Sequence, residues 1–248
     1  MTDPAILSIV SVIIVSLMSF VGVLTLVIKD IVIRKFLLYF VGFSAGALLG
    51  DVFFHLLPEV AATGFTIDIA MYVLLGIVVS FIMEKAVHWR HCHIPISKHH
   101  VHTFAYMNLF GDAVHNFIDG MIIAASYLIS VPVGIATTVA VIFHEIPQEI
   151  GDFGVLLHGG FKKRRAIFLN FLTGVTAVLG AVVALVISAY LDTSINILAS
   201  FAAGGFIYIA GSDLIPELHK KFSAKNSIIE VLTILLGMAV MYGLLFLE

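Results

Sequence analysis

Of 248 residues, 60% are hydrophobic and only 12% are charged, about half the charged share of an average soluble domain. That balance excludes a water-soluble globule and leaves a polytopic membrane protein. The formal net charge of -3 names no partner, because in such a chain the placement of charge matters more than its sum, and no nucleic-acid partner is expected; the one cysteine, Cys92, excludes an intrachain disulfide.

Apolar runs of spanning length fall at about 5–28, 36–58, 66–87, 103–128, 132–158, 163–190, 195–217 and 227–247. They predict an all-α chain with eight transmembrane helices joined by seven short connections, a single transmembrane domain over residues 1–248. The first run is too long for a signal-peptide core and is followed, not preceded, by Lys29, so it is expected to stay as a helix. Lys29, Arg34 and Lys35 follow the first run; Lys85, Arg90 and Lys98 follow the third; Lys162, Lys163, Arg164 and Arg165 follow the fifth; Lys220, Lys221 and Lys225 follow the seventh. These are all 13 Lys and Arg of the chain, and all fall in or beside odd-numbered connections. The positive-inside rule then puts those connections in the cytoplasm and both termini outside, in a plasma (inner) membrane.

The third connection, residues 88–102, is rich in histidine: His88, His91, His93, His99, His100 and His102, of 11 in the chain. Tracts of this density bind or buffer metal. An internal repeat is also legible. The stretch from Ala45-Gly46 to Pro58-Glu59 in the second run lies over that from Ala203-Gly204 to Pro216-Glu217 in the seventh. These two runs would cross in opposite directions, and inverted repeats of this kind mark transporters. The first three and last three helices would then be pseudo-symmetric and enclose the fourth and fifth.

Those two central runs carry the buried charge. On the fourth, Asn108, Asp112, His115, Asn116 and Asp119 fall within roughly 100 degrees of one another at helical spacing. On the fifth, His144, Glu145, Gln148, Glu149 and Asp152 span roughly 140 degrees around Pro147. Ser130, Val131 and Pro132 alone join the runs, so the helices should be antiparallel neighbours with the stripes able to face each other. A charge near mid-membrane costs roughly 2.5 to 3.5 kcal/mol on insertion scales, and a bound cation would offset it. His115 with Asp119, and His144 with Gln148, each offer two donors from successive turns. Pro147 should free the carbonyl of Phe143 as a further oxygen ligand. Seven polar residues therefore form the candidate metal set: His115, Asn116, Asp119, His144, Glu145, Gln148 and Glu149. Nitrogen with carboxylate donors suits Zn²⁺, Fe²⁺ or Mn²⁺ better than Ca²⁺ or Mg²⁺.

With His115-Asn116-x-x-Asp119-Gly120 on a fourth helix, His144-Glu145-x-Pro147-x-Glu149-x-Gly151-Asp152 on a fifth and a histidine-rich third connection, the chain resembles the ZIP (Zrt/Irt-like protein) family of divalent-metal transporters. The likeness covers essentially the whole chain, and the two motifs together are specific. It implies metal-ligand roles for His115, Asn116, Asp119, His144 and Glu145, transport toward the cytoplasm, a 3+2+3 helix arrangement and a homodimer. The transported substrate would be Zn²⁺, with Fe²⁺, Mn²⁺ or Cd²⁺ as alternatives. Two departures stand out. Many relatives have His where this chain has Gln148, and relatives with a two-metal centre have a Glu near the position of Thr173, where this chain offers Asn170, Thr173 and Thr176.

The repeat suggests a route through the protein. His55 and Glu59 would help admit the ion and Asp213 and Glu217 would help release it to His219 and the histidine-rich connection, with Asp112 and Asp152 along the way. Two other readings compete with import. The same fold could export metal, and His144-Glu145-x-x-Gln148 is one residue short of the His-Glu-x-x-His signature of a zinc protease. Gln148 in place of the second histidine weighs against hydrolysis.

Overall fold

The computed structural model describes residues 3–26, 30–62, 64–88, 103–190, 194–219 and 224–247. Lys29, Arg90, Lys98, Lys220, Lys221 and the part of the histidine-rich connection from His91 to His102 lie outside them. The described residues are helical almost throughout. α1 runs over Pro4–Ser16 and continues as a 3-10 helix over Leu17–Leu26. α2 covers Asp30–Asp51, a π-helical turn at Val52–Leu56 and a last α turn at Leu57–Val60. Then come α3 (Ile67–His88), α4 (Thr103–Ile129) and α5 (Val131–His158). α6 is Lys163–Gly174 followed by Thr176–Tyr190. α7 joins Ser194–Tyr208, a π-helical stretch at Ile209–Leu214 and Ile215–Leu218, and α8 is Ala224–Leu244 with a short 3-10 end at Leu245–Leu247.

Every apolar run read from the sequence thus lies on a helix. Six of these helices, all but α4 and α5, are long and apolar enough to cross a membrane by length and composition. The two exceptions are the helices with polar stripes. Side-chain size is distributed as a bilayer solvent would have it: the interior is lined by Ala47, Ala124, Ala140, Ala177, Ala181, Ala202 and Ala203, while Phe65, Leu74, Leu179, Leu232 and Phe246 face outward. Lipid tails are as apolar as Leu, so large residues gain little by turning inward and small ones allow helices to approach closely.

The connection between α4 and α5 is tighter than expected. Ser130 alone separates them, and its hydroxyl accepts from Val133 N–H at 3.3 Å to cap α5. Gly134 lies against the Tyr127 ring across this hairpin, and Tyr127 reaches Ser11 of α1 at 2.8 Å. α4 packs against α1, α3, α5, α6 and α7, and α5 against α1, α2 and α6, which puts this pair at the centre of the bundle.

α2 and α7 share an unusual backbone at matching places. The Leu57 N–H bonds the Val52 carbonyl and the Ile215 N–H bonds the Ala210 carbonyl, each a π-type link immediately before a proline. Pro58 and Pro216 cannot donate to the preceding turn, and the wider π turn takes up that mismatch. The packing partners match as well. An added Cβ on Gly46 of α2 would overlap the Ile234 carbonyl on α8, and one on Gly204, its counterpart in the repeat, would overlap the Val73 carbonyl on α3. Gly237 of α8 meets the Phe43 carbonyl and Gly76 of α3 that of Phe201, again counterparts. Gly205, next along α7, would meet only Ser80 Oγ, at 3.5 Å. Gly204→Ala is therefore expected to destabilise the protein by about 1–3 kcal/mol through overpacking, while Gly205→Ala leaves it nearly unchanged. Thermal melting of the two variants in detergent checks this, and equal shifts would contradict the backbone-contact argument.

Candidate metal centre

α4 and α5 bring four of the candidate residues to one point: His115, Asp119, His144 and Glu145, each offering one ligand atom within 4.8 Å of all the others. His115 Nε2 lies 3.2 Å from His144 Nε2, 3.5 Å from Asp119 Oδ2 and 3.4 Å from Glu145 Oε1. His144 Nε2 lies 3.0 Å from Asp119 Oδ2 and 3.6 Å from Glu145 Oε1. A tetrahedral ion with ligands about 2.0–2.1 Å away separates those ligands by about 3.3 Å. These five separations bracket that value.

The helix geometry explains why these four meet. His115 and Asp119 are one turn apart on α4, and His144 and Glu145 face them from the antiparallel α5. His144 Nδ1 is 3.3 Å from the Ala140 carbonyl. A carbonyl only accepts, so this contact suits a hydrogen on Nδ1, and Nε2, 3.0 Å from Asp119 Oδ2, is the ring nitrogen that faces the cluster, the arrangement that outer contacts of metal-binding histidines favour. Apart from His115, each member is buried. Neither oxygen of Glu145 and not Oδ1 of Asp119 has a hydrogen-bond partner. Converging lone pairs in a dry interior repel, and a cation among them reverses the sign of that interaction.

The other expected residues are placed differently. Gln148 lines the cavity beside the cluster but is not one of the four converging residues. Asn116 turns away, donating to the carbonyl of Asp112 at 3.2 Å and to its Oδ1 at 2.8 Å. Buried Glu149 accepts a hydrogen bond from Asn170 of α6, whose amide also donates to the Ser19 carbonyl at 3.0 Å. Thr173 turns its hydroxyl back to the Asn170 carbonyl at 2.7 Å. The carbonyl of Phe143, expected to be left open by Pro147, is instead taken by Ser44 of α2, which donates to it at 2.6 Å. A hydroxyl from the neighbouring helix satisfies it more simply than an ion would.

A cavity of about 530 Å³ leads away from the cluster toward the end of the bundle where α3 and α5 finish and α4 begins. Asp112, Asp152, Asp213 and Glu217 line it. His55 is not on that lining; its Nε2 is 2.9 Å from the Met241 carbonyl between α2 and α8. Glu59 and His219 are exposed at helix ends. Two residues that the sequence reading passed over also face the cavity, Glu84 of α3 and Tyr208 of α7, with the Tyr208 hydroxyl donating to the Glu84 carboxylate. Glu84 stands beside Lys85 at the end of an apolar run, where it reads as an ordinary interfacial charge.

Comparison with known proteins agrees with this geometry. The family signature described as "ZIP Zinc transporter" matches residues 2–103 and 90–245. The chain belongs to the ZIP zinc transporter family. Mouse "Zinc transporter ZIP13" is 30% identical over 250 residues, covering 83% of this chain and 69% of its own. "Zinc transporter zipt-7.2" of Caenorhabditis elegans is 42% identical over 143 residues, 56% of this chain and 31% of its own. "IAA-alanine resistance protein 1" of Arabidopsis thaliana is 42% identical over 141 residues, 56% of this chain and 30% of its own. The matches with the worm and plant relatives thus span about a third of those proteins' length.

Because imidazoles and carboxylates must shed protons to bind metal, affinity should fall at least tenfold as pH drops from about 7.5 to about 5.5. Isothermal titration of the purified protein with Zn²⁺ measures this, and His144→Ala should remove the tight phase. Equal affinity at both pH values would contradict a histidine-bearing site.

Proposed function

We propose that this protein carries a divalent transition-metal ion, Zn²⁺ foremost, across a membrane by alternating access around the site between α4 and α5. One observation carries the proposal: two imidazole nitrogens and two carboxylate oxygens converge with separations suited to a tetrahedral ion. Fe²⁺, Mn²⁺ or Cd²⁺ would satisfy similar donors, with softness and geometry setting the preference. His115, Asp119, His144 and Glu145 act as direct ligands. In this reading Gln148 adds a neutral oxygen beside them, while Asn116 orients Asp112 on its own helix and Glu149 ties α5 to α6.

All eight helices span the membrane in this proposal, in a 3+2+3 arrangement with α1–α3 and α6–α8 as inverted repeats. The paired π turns and the paired glycine contacts of α2 with α8 and α7 with α3 support it. The basic connections put both termini outside a plasma membrane and the cavity mouth in the cytoplasm. The ion would then move inward past Asp112 and Asp152 to Asp213 and Glu217, with His219 and the histidine-rich connection taking it up. Glu59, at the outer end of α2, would help draw ions in, and His55 would steady that end through Met241. A homodimer completes the reading, its outward apolar helices covered by lipid or the second copy.

Binding without turnover is the more economical account of Glu145. In a protease that residue would stand back to activate water, whereas here its Oε1 lies among the other ligand atoms. The decisive experiment is Zn²⁺ uptake into sealed vesicles holding wild type or His115→Ala. Uptake should drop tenfold or more in the variant, as losses around metal ligands do; an undiminished rate would sink the assignment. Glu217→Ala should slow uptake while leaving melting temperature unchanged.

A further inference from the structure

The polar face of the cavity extends beyond the four converging residues. Asp112 lies about one turn from His115 along α4 and Asp152 about two turns from Glu145 along α5, both toward the cavity mouth. Each is anchored in the same manner. Asn116 Nδ2 donates to Asp112 Oδ1 at 2.8 Å, and Asn108 Nδ2 donates to Asp152 Oδ1 at 2.9 Å. The second oxygen of each, Oδ2, is buried without a hydrogen-bond partner. Asp112 is only 4% exposed, and it lies within electrostatic reach of Asp152. Gln148 sits one turn from each of His144 and Asp152 on the same lining.

Asparagine amides orient these carboxylates but bring no charge. Among the described residues that line the cavity, none is Lys or Arg, and its only basic residues are His115 and His144 of the converging cluster. Two carboxylates from adjacent helices, each held at one oxygen and open at the other, therefore call for a mobile cation. We propose that Asp112 and Asp152, with the Gln148 amide oxygen, form a second cation site through which a divalent ion passes after leaving the histidine-bearing cluster. This rests on the transport reading of that cluster. All-oxygen donors grip a borderline metal less firmly than imidazole does and leave room for retained water. A weaker site a short distance inward gives the ion a place to go without trapping it, the balance that conduction along several sites requires.

Equilibrium dialysis of the purified full-length chain in detergent against Zn²⁺ alone tests this. Asp112→Asn/Asp152→Asn should take up one ion fewer per chain than wild type, the missing ion being bound at least tenfold more weakly than the tightest one. Both substitutions keep the Oδ1 acceptor for the asparagine amides, so the melting temperature should hold. If the double variant does not fold, single Asp152→Asn is read in the same way. His115→Ala/His144→Ala should instead lose the tightest ion. A double Asn variant that matches wild type in stoichiometry and affinity overturns the second site and leaves the transport reading standing. A His variant that binds as wild type does removes the transport reading itself.

Discussion

The structure depends on a single constraint, that two imidazoles and several carboxylates lie in the interior of an otherwise apolar bundle. Charge taken out of water is stabilised only by an opposite charge or by complete hydrogen bonding. In this protein the hydrogen bonding is incomplete by design of the residues: Asp119, Glu145, Asp112 and Asp152 each keep an oxygen without a partner. Asn116 and Asn108 hold Asp112 and Asp152 in place and the Ala140 carbonyl lies against the His144 ring, and none of these three supplies a positive charge. An interior of this kind suits the proposed passage of an ion.

The surrounding helices supply the rigidity and the freedom that such an ion needs. Gly46, Gly204, Gly76 and Gly237 bring α2 to α8 and α7 to α3 with backbone touching backbone. Contacts this close resist local deformation, which favours movement of helix groups as units. The π turns before Pro58 and Pro216 are the opposite kind of feature, places where the regular ladder is already relaxed. One of them, Ile209–Leu214, carries Asp213 onto the cavity lining. In the proposed transport cycle the close glycine contacts keep each helix pair intact while the relaxed turns sit where the path opens.

Membership of the ZIP family and the proposed passage of ions place different demands on the fifth helix. Pro147 breaks the backbone ladder one turn beyond Phe143, and Ser44 repairs the break from α2. That repair ties α5 to the first half of the chain. Asn170 ties it to the second half through Glu149. The helix bearing His144 and Glu145 is thus held from both sides, so relative motion of the halves would be felt at these two residues.

Much of this was written in the order of residues. Helix positions followed from the length of apolar runs, because a bilayer core demands about twenty such residues, and the convergence of His115, Asp119, His144 and Glu145 followed from two helical stripes joined by a very short turn. Spacing along a helix cannot say which members of a stripe share a point, so it could not foresee that Asn116 pairs with Asp112 and Glu149 with Asn170. Nor could it find contacts between residues far apart in sequence, such as Ser44 with Phe143, His55 with Met241 or Tyr208 with Glu84. The sequence by itself determined the helices, their polar faces and the chemistry of the donors, since these depend on residue type and local period. Which carboxylate oxygens stayed without a hydrogen-bond partner was decided only by tertiary structure, because that depends on what the neighbouring helix presents.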